Sequence, residues 1–227
     1  MMKNKIKDPL TSARLKSFHT DCVDAGVDEV GRWRGCFAGP VVTAAVILPK
    51  DFDNPLIKDS KKLSEKQRRK AVEIIKESAL AYSIAYGSVQ DIDTYNILQA
   101  TFRTMHKSLD GLSIRPEHII VDGDRFNKYP GIQHECVVKG DANYYSIAAA
   151  SILAKVERDD YMSKLAEQHP VYKWESNKGY GTADHREALL ENGPTEYHRL
   201  TFISNYVKRD VGNSLFWRFL FIQDIVS

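Results

Sequence analysis

Apolar positions along the first part of the chain follow two repeating patterns, one typical of strands and one typical of helices. Short runs rich in Val, Ala and Ile predict five strands, over residues 21–30, 41–48, 81–89, 118–121 and 135–138. Apolar residues at three-to-four spacing predict helices over 64–80, 93–109, 144–165 and, more briefly, 185–191. Three of the strands precede residue 90 and strand and helix alternate afterwards, which favours an α/β fold with a mixed sheet flanked by helices.

The composition changes after Pro170, where Gly, Pro, Tyr, His and charged residues predominate. We therefore divide the chain into an N-terminal lead at 1–20, a core at 21–169 and a small helical appendage with a tail at 170–227. In the tail, residues 204–227, a packed terminal helix carrying Trp217 is the default interpretation, and a partner-binding segment is the alternative.

Overall composition is that of a folded, water-soluble protein: 43% of the 227 residues are apolar and 27% are charged. A net charge of +2 does not by itself indicate a polyanionic partner, so nucleic-acid binding has to be argued locally. Cys22, Cys36 and Cys136 lack the CxxC spacing of a zinc site and do not suggest a disulfide framework, which favours a cytoplasmic location. No secretory signal follows Met1 to Lys7, and no membrane association is expected.

Acidic residues stand where strands and helices meet. Asp28 and Glu29 end a Val/Ala-rich strand, Asp122 ends another, and Asp141 precedes a long helix. Burying two adjacent charges in a strand is costly unless a cation compensates them. For the Asp28 and Glu29 pair alone, a solvent-facing acid beside a salt-bridged one explains the pattern equally well.

Seven motifs, in order along the chain, favour the cation-binding interpretation of these acids over the salt-bridge interpretation. They are AGVDEVG from Ala25, GPVVTAA from Gly39, DSKKL from Asp59, VDGDRF from Val121, KGDANYYSIAAASILAKV from Lys139, NKGYGTADH from Asn177 and HRLTF from His198. Together they closely resemble ribonuclease HII, the type 2 ribonuclease H family.

The resemblance implies a ribonuclease H-like fold, a five-stranded mixed sheet with three antiparallel strands first and a helical C-terminal part. It also implies a metal site formed by four acids: Asp28, Glu29, Asp122 and Asp141. Such an oxygen-only set suits Mg²⁺ or Mn²⁺ better than zinc. Two ions about 4 Å apart can activate water and stabilise the leaving oxygen.

A Gly-Arg-Gly turn in the family approaches the ribonucleotide 2′-hydroxyl through its backbone, which glycine permits. Here Trp33 and Arg34 stand between Gly31-Arg32 and Gly35. An indole in that turn could obstruct the substrate or stack on a sugar or base, and the sequence leaves both alternatives open.

Further substrate contacts are implied by motif position. Tyr180 matches the tyrosine that packs on the sugar beside the ribonucleotide, although a tyrosine anchoring the appendage is the structural alternative. Ser60 and Lys61, before a helix, and Lys139, beside Asp141, are candidates for phosphate contact, with solvated lysines as the alternative.

Other polar residues suggest structural roles. Ser151 and its neighbouring alanines are interpreted as allowing close helix packing. Asp159 and Asp160 are interpreted as a solvated helix end paired with Arg158. His185, His198 and Arg199 match family positions, but packing of the appendage explains them equally well.

The leading hypothesis is an Mg²⁺- or Mn²⁺-dependent endonuclease that hydrolyses the RNA strand of RNA-DNA hybrids. It would also nick on the 5′ side of ribonucleotides embedded in duplex DNA, for their removal, acting as a monomer. One rival is a hybrid- or junction-binding protein with weak catalysis, because a misplacement of about 1 Å can cost about a hundredfold in rate. Another is a nuclease of the same fold that cuts four-way DNA junctions, which the Tyr180 motif does not support.

Overall fold

Five strands form one sheet in the structure, a computed structural model that describes residues 15–16 and 22–204. The strands are β1 (Asp24–Val30), β2 (Val41–Ile47), β3 (Ala81–Gly87), β4 (His118–Asp122) and β5 (Gln133–Val137). Their order across the sheet is β3-β2-β1-β4-β5, and β4 runs parallel to both of its neighbours. The sheet is mixed and flanked by helices, so the predicted fold class is confirmed.

Among the described residues, the sheet is accompanied by the helices α1 (Glu65–Ser78), α2 (Val89–Asp110), α3 (Tyr145–Gln168), α4 (Trp174–Asn177) and α5 (Ala183–Asn192). Residues 200–204 are also helical. The four predicted helices are confirmed as α1, α2, α3 and α5. Helix α4 was not predicted, because four residues are too few to show an apolar stripe.

Local side-chain bonds explain where two helices begin or break. Ser64 and Gln67 form a reciprocal capping box at the start of α1. Helix α2 is interrupted at Asn96, whose φ is 65°. There the Asn96 side-chain oxygen accepts hydrogen bonds from the N–H groups of Leu98 and Gln99, at 3.0 and 3.1 Å, and so caps the second half of the helix.

The chain divides into two compact units, each discontinuous in sequence. The first unit comprises the residues up to Glu29 together with Thr43–Ala85 and Met105–Val156. The second comprises Val30–Val42, Tyr86–Thr104 and the residues from Glu157 onward. The boundary at residue 170 that the sequence suggested is a separate division and stays a prediction.

In the first unit, the core is closed by the approach of α3 to β1. A Cβ atom built on Gly26 would lie 2.3 Å from the carbonyl carbon of Ser146 and 2.5 Å from the nitrogen of Ile147. Only glycine permits that approach, which keeps the two backbones in direct contact. The small residues of α3 therefore pack closely against the sheet, as expected.

The core of the second unit contains two buried arginines. Arg158 donates to the carbonyl oxygens of Pro40, Lys178 and Ala38 at 2.9, 2.9 and 3.0 Å. Its side chain is fully buried in the middle of α3, so the predicted solvated helix end is wrong at this position. A helical stripe cannot show that the guanidinium would meet carbonyl groups of a loop more than a hundred residues away.

Histidines of the appendage pack inside the second unit. His185 and His198 are buried, their Nε2 atoms are 3.1 Å apart, and the Trp174 indole N–H donates to His185 at 3.1 Å. These contacts support the packing interpretation. The predictions for the lead at 1–20, apart from residues 15 and 16, and for the segment around Trp217 lie outside the described residues. No helix within residues 22–204 is both long and apolar enough to cross a membrane.

Candidate active site

Two of the four predicted acids lie side by side at one edge of the sheet. In the parallel pairing of β1 with β4, Val27 is aligned with Val121, and each is followed at once by an acid, Asp28 or Asp122. Parallel neighbours about 4.8 Å apart bring equivalent residues together. Strand register therefore places Asp28 and Asp122 next to each other.

A short turn after β5 brings the fourth acid to the same edge. Asp122 is aligned with Val137 in β5, after which Lys139 takes a left-handed conformation and Gly140–Ala142 form a 3-10 turn. The Gly140 N–H donates to Asp122 Oδ1 at 2.7 Å. Asp141 is therefore the residue after Gly140, whose N–H is hydrogen bonded to Asp122.

The neighbouring carboxylates perturb one another's pKa values. Burial raises the pKa of Asp28 well above its ordinary value, and the charges of Glu29 and Asp122 raise it further. Burial and the charge of Asp122 likewise raise the pKa of Asp141, while Lys61 opposes that rise. A group of buried acids that repel one another is what a cation site requires, because a cation relieves the repulsion.

Ser151 contributes to this site, although the sequence suggested only a packing role for it. Its side chain hydrogen bonds to Asp28 and lies 3.1 Å from the hydroxyl of Ser60. Its place in the long family-like motif was the available signal, but the small size of the residue favoured the packing interpretation. Ser151 orients Asp28 from α3.

The basic candidates differ in how closely they approach the acids. The ammonium group of Lys61 lies 3.8 Å from a carboxylate oxygen of Asp141, on a side chain that is 84% exposed. Lys139 is exposed, and its backbone φ of 57° sets up the turn that carries Asp141. Lys61 is therefore placed beside the acids while keeping its charge accessible to a phosphate.

The donor set fits a hard divalent cation. Apart from the ammonium group of Lys61, the side chains described at this edge offer carboxylate or hydroxyl oxygens, which suit Mg²⁺ or Mn²⁺. Across residues 22–204, however, no group of three or more His, Cys, Asp or Glu side chains already has the spacing of a metal site. Metal binding by these acids would therefore require their side chains to reorient from the positions described.

The loop from Gly31 to Gly35 belongs to the second unit. Gly31 has a φ of +90°, and its carbonyl oxygen accepts a 2.6 Å hydrogen bond from the guanidinium of Arg199. The carbonyl oxygen of Gly35 accepts one of 2.8 Å from the N–H of Gly181. Tyr180, adjacent to Gly181, is half-buried beneath the Arg158 guanidinium, which lies 5.5 Å from its ring centre.

Comparison with known proteins decides the family. The family model for ribonuclease HII matches residues 25–205. The chain belongs to the ribonuclease HII family. The ribonuclease HII of Bacteroides thetaiotaomicron is 55% identical over 188 residues, which cover 83% of this chain and 93% of that protein. The Bacteroides fragilis protein is also 55% identical over 188 residues, with coverage of 83% and 92%.

A solved structure agrees with this assignment. The ribonuclease H2 of Pyrococcus horikoshii matches with a TM-score of 0.69 at 25% identity, over 84% of this chain and 99% of that one. As a ribonuclease HII, the chain is a metal-dependent ribonuclease that acts on RNA in RNA-DNA hybrids. The rival interpretation as a binding protein with weak catalysis is not favoured.

The glycines predicted to recognise the ribonucleotide, Gly31 and Gly35, are separated in this chain by Arg32, Trp33 and Arg34. Trp33 and Arg34 are exposed, and Trp33 lies beside Tyr180 with the ring centres 6.1 Å apart. Tyr180 and Gly35 are linked through the hydrogen bond of Gly181. Trp33, Gly35 and Tyr180 therefore lie close together in the second unit.

Proposed function

We propose that this enzyme nicks duplex DNA on the 5′ side of an embedded ribonucleotide, and cuts the RNA strand of hybrids, with two Mg²⁺ or Mn²⁺ ions. The observation that carries the proposal is the meeting of Asp28, Asp122 and Asp141 at one sheet edge, where burial and mutual repulsion raise the pKa values of Asp28 and Asp141. The products would be a 3′-hydroxyl and a 5′-phosphate.

Four carboxylates would hold the ions: Asp28, Glu29, Asp122 and Asp141. Bound divalent ions supply an activated water and stabilisation of the departing oxygen. The protein's own part is positioning. Ser151 orients Asp28, and the Gly140 N–H orients Asp122 at 2.7 Å. These hydrogen bonds keep the carboxylates from turning away from one another when they are charged.

Substrate contacts would come from seven residues: Gly31, Arg32, Gly35, Ser60, Lys61, Lys139 and Tyr180. Lys61 supports this assignment best, because it lies 3.8 Å from Asp141 and yet stays largely exposed. Its charge can meet a phosphate oxygen close to the acids. For Gly31 and Gly35 the assignment rests on motif position, because the space that a Cβ would take is occupied by Arg158 at Gly31 and by the Trp33 indole at Gly35.

The wider role that we propose is the removal of ribonucleotides from DNA, carried out in the cytoplasm by a monomer. We also propose that residues 21–169 form the catalytic core and that residues 170–227 form an appendage with a tail. Tyr180 in that appendage would then favour a deoxyribose beside the ribonucleotide.

A nicking assay tests the proposal. The full chain is incubated with a duplex that contains one ribonucleotide, with Mg²⁺ or Mn²⁺, beside an all-DNA duplex. Asp141→Asn is the test variant. Asp124→Asn is its matched control, because Asp124 is an exposed acid two residues beyond Asp122 and is paired with Arg125.

We expect metal-dependent cleavage of the ribonucleotide-containing duplex alone, lost in Asp141→Asn and kept in Asp124→Asn. Cleavage of the all-DNA duplex would favour a nuclease of another specificity. Binding of the ribonucleotide-containing duplex without cleavage would favour the binding-protein alternative.

A further inference from the structure

The indole of Trp33 has a supported inner side and an open outer side. A Cβ atom built on Gly35 would lie 2.3 to 2.7 Å from three carbons of the indole, so the ring rests directly on that glycine. Trp33 is nevertheless 70% exposed. The ring is held in place from below and presents its outer surface to solvent.

The turn that carries the indole is closed by the backbone. The N–H of Cys36 donates to the carbonyl oxygen of Trp33 at 3.0 Å, which closes a turn around Arg34 and Gly35. Trp33 and Arg34 therefore belong to an ordered turn. Ordering an exposed aromatic ring in advance lowers the entropic cost of using it for binding.

Tyr180 lies beside the indole on a segment bonded to the same turn. The two ring centres are 6.1 Å apart and the rings are inclined by 39°. Cys36 and Tyr180 form an antiparallel bridge, and Gly181 donates to Gly35 at 2.8 Å. Because the two segments are bonded together, the two rings form a single surface.

We propose that Trp33 and Tyr180 form a two-ring platform that packs against the sugars of neighbouring nucleotides along the duplex backbone. This inference rests on the proposed function and extends it by adding a substrate contact at Trp33. An exposed indole beside a cationic side chain is suited to that backbone, because the ring can pack on a sugar while the cation meets a phosphate. Arg34, exposed in the same turn, supplies the charge for a phosphate.

The test measures binding of a duplex that contains one ribonucleotide, in the Asp141→Asn background so that the duplex stays intact. The variants added to that background are Trp33→Ala, Trp33→Phe and a deletion of Trp33 and Arg34. Tyr95→Ala is the matched control, because Tyr95 is 40% exposed and has Arg103 4.1 Å from its ring centre. Dissociation constants are read from the anisotropy of a labelled duplex.

We expect Trp33→Ala and the deletion to raise the dissociation constant between about fivefold and a hundredfold. Trp33→Phe recovers most of the affinity, and Tyr95→Ala leaves it unchanged. Binding also changes the tryptophan fluorescence of an Asp141→Asn protein that carries Trp217→Phe, and Trp33→Phe removes that change, since the remaining Trp174 is fully buried.

Equal or tighter binding by Trp33→Ala or the deletion overturns the platform, and tighter binding would mean that the indole obstructs the substrate. Failure of the proposed function has a different signature. In that case the unaltered chain does not cleave the ribonucleotide-containing duplex, whatever residue stands at position 33. Cleavage by the unaltered chain together with unchanged binding by Trp33→Ala refutes this inference alone.

Discussion

Gly26→Ala should disturb both stability and catalysis, because Gly26 is the point at which β1 touches α3. The new Cβ would lie 2.3 Å from the Ser146 carbonyl carbon and 2.5 Å from the Ile147 nitrogen. Both are backbone atoms, so a side-chain rotation cannot relieve the clash. The strand and the helix have to move apart.

The size of that movement follows from the contact distance. Ordinary contact begins at 3.4 Å, so β1 and α3 must separate by about 1.1 Å. Overpacking of this kind costs about 1 to 3 kcal/mol of unfolding free energy. Asp28 stands two residues further along the same face of β1, and its partner Ser151 is on α3. A misplacement of about 1 Å at a catalytic group can lower the rate about a hundredfold.

Urea unfolding and single-ribonucleotide nicking, measured on the same preparations, check both effects. Gly111→Ala is the matched control, because its new Cβ would meet the side-chain hydroxyl of Ser83, which can rotate away. Its unfolding free energy should change by less than about 0.5 kcal/mol. Unchanged stability and unchanged nicking in Gly26→Ala would refute the packing argument.

Three other predictions concern buried charge. Asp28→Asn should lower the nicking rate about a hundredfold or more. It should also raise the unfolding temperature measured in chelator, because burial and neighbouring acids disfavour the charged form of Asp28. A lower unfolding temperature would contradict this reasoning. Arg199→Lys should lower the free energy of unfolding in urea by about 3 kcal/mol, because an ammonium group cannot replace the guanidinium's hydrogen bonds to Gly31, Gly39 and Pro40. A loss below about 0.5 kcal/mol would contradict this prediction. Burial lowers the pKa of His198 to about 3, so the unfolded imidazole binds a proton that the folded one does not. The free energy of unfolding should then decline as pH falls from about 6.5 towards 3, and it should decline less steeply in His198→Asn. Equal pH dependence of the unfolding free energy in the two proteins, measured by urea titration, would contradict this.

Much of the fold was predictable because the strands and helices carry regular apolar patterns. The run from Val41 to Ile47 is buried at every position, and the alternation of strands and helices indicated the sheet class. Asp28 and Asp122 were identified from their places at strand ends within recognisable motifs. Register then explains why they meet, since Val27 and Val121 are paired.

The remaining features depend on contacts that no local pattern records. Arg158 was assigned to a solvated surface, yet its guanidinium is buried among the carbonyl groups of a loop. The sequence predicts only a packing role for Ser151, because nothing near it in sequence indicates a contact with Asp28. The two alternatives for the Trp33 indole could not be separated, because its support by Gly35 and Tyr180 is a property of the folded turn.

The most direct test of the central claim is a crystal of the protein soaked in Mn²⁺, with anomalous scattering used to locate the ions. The account predicts manganese bound by carboxylate oxygens of Asp28, Glu29, Asp122 and Asp141, about 2.2 Å from the ion. Manganese found only elsewhere on the protein, with these four acids uninvolved, would contradict it.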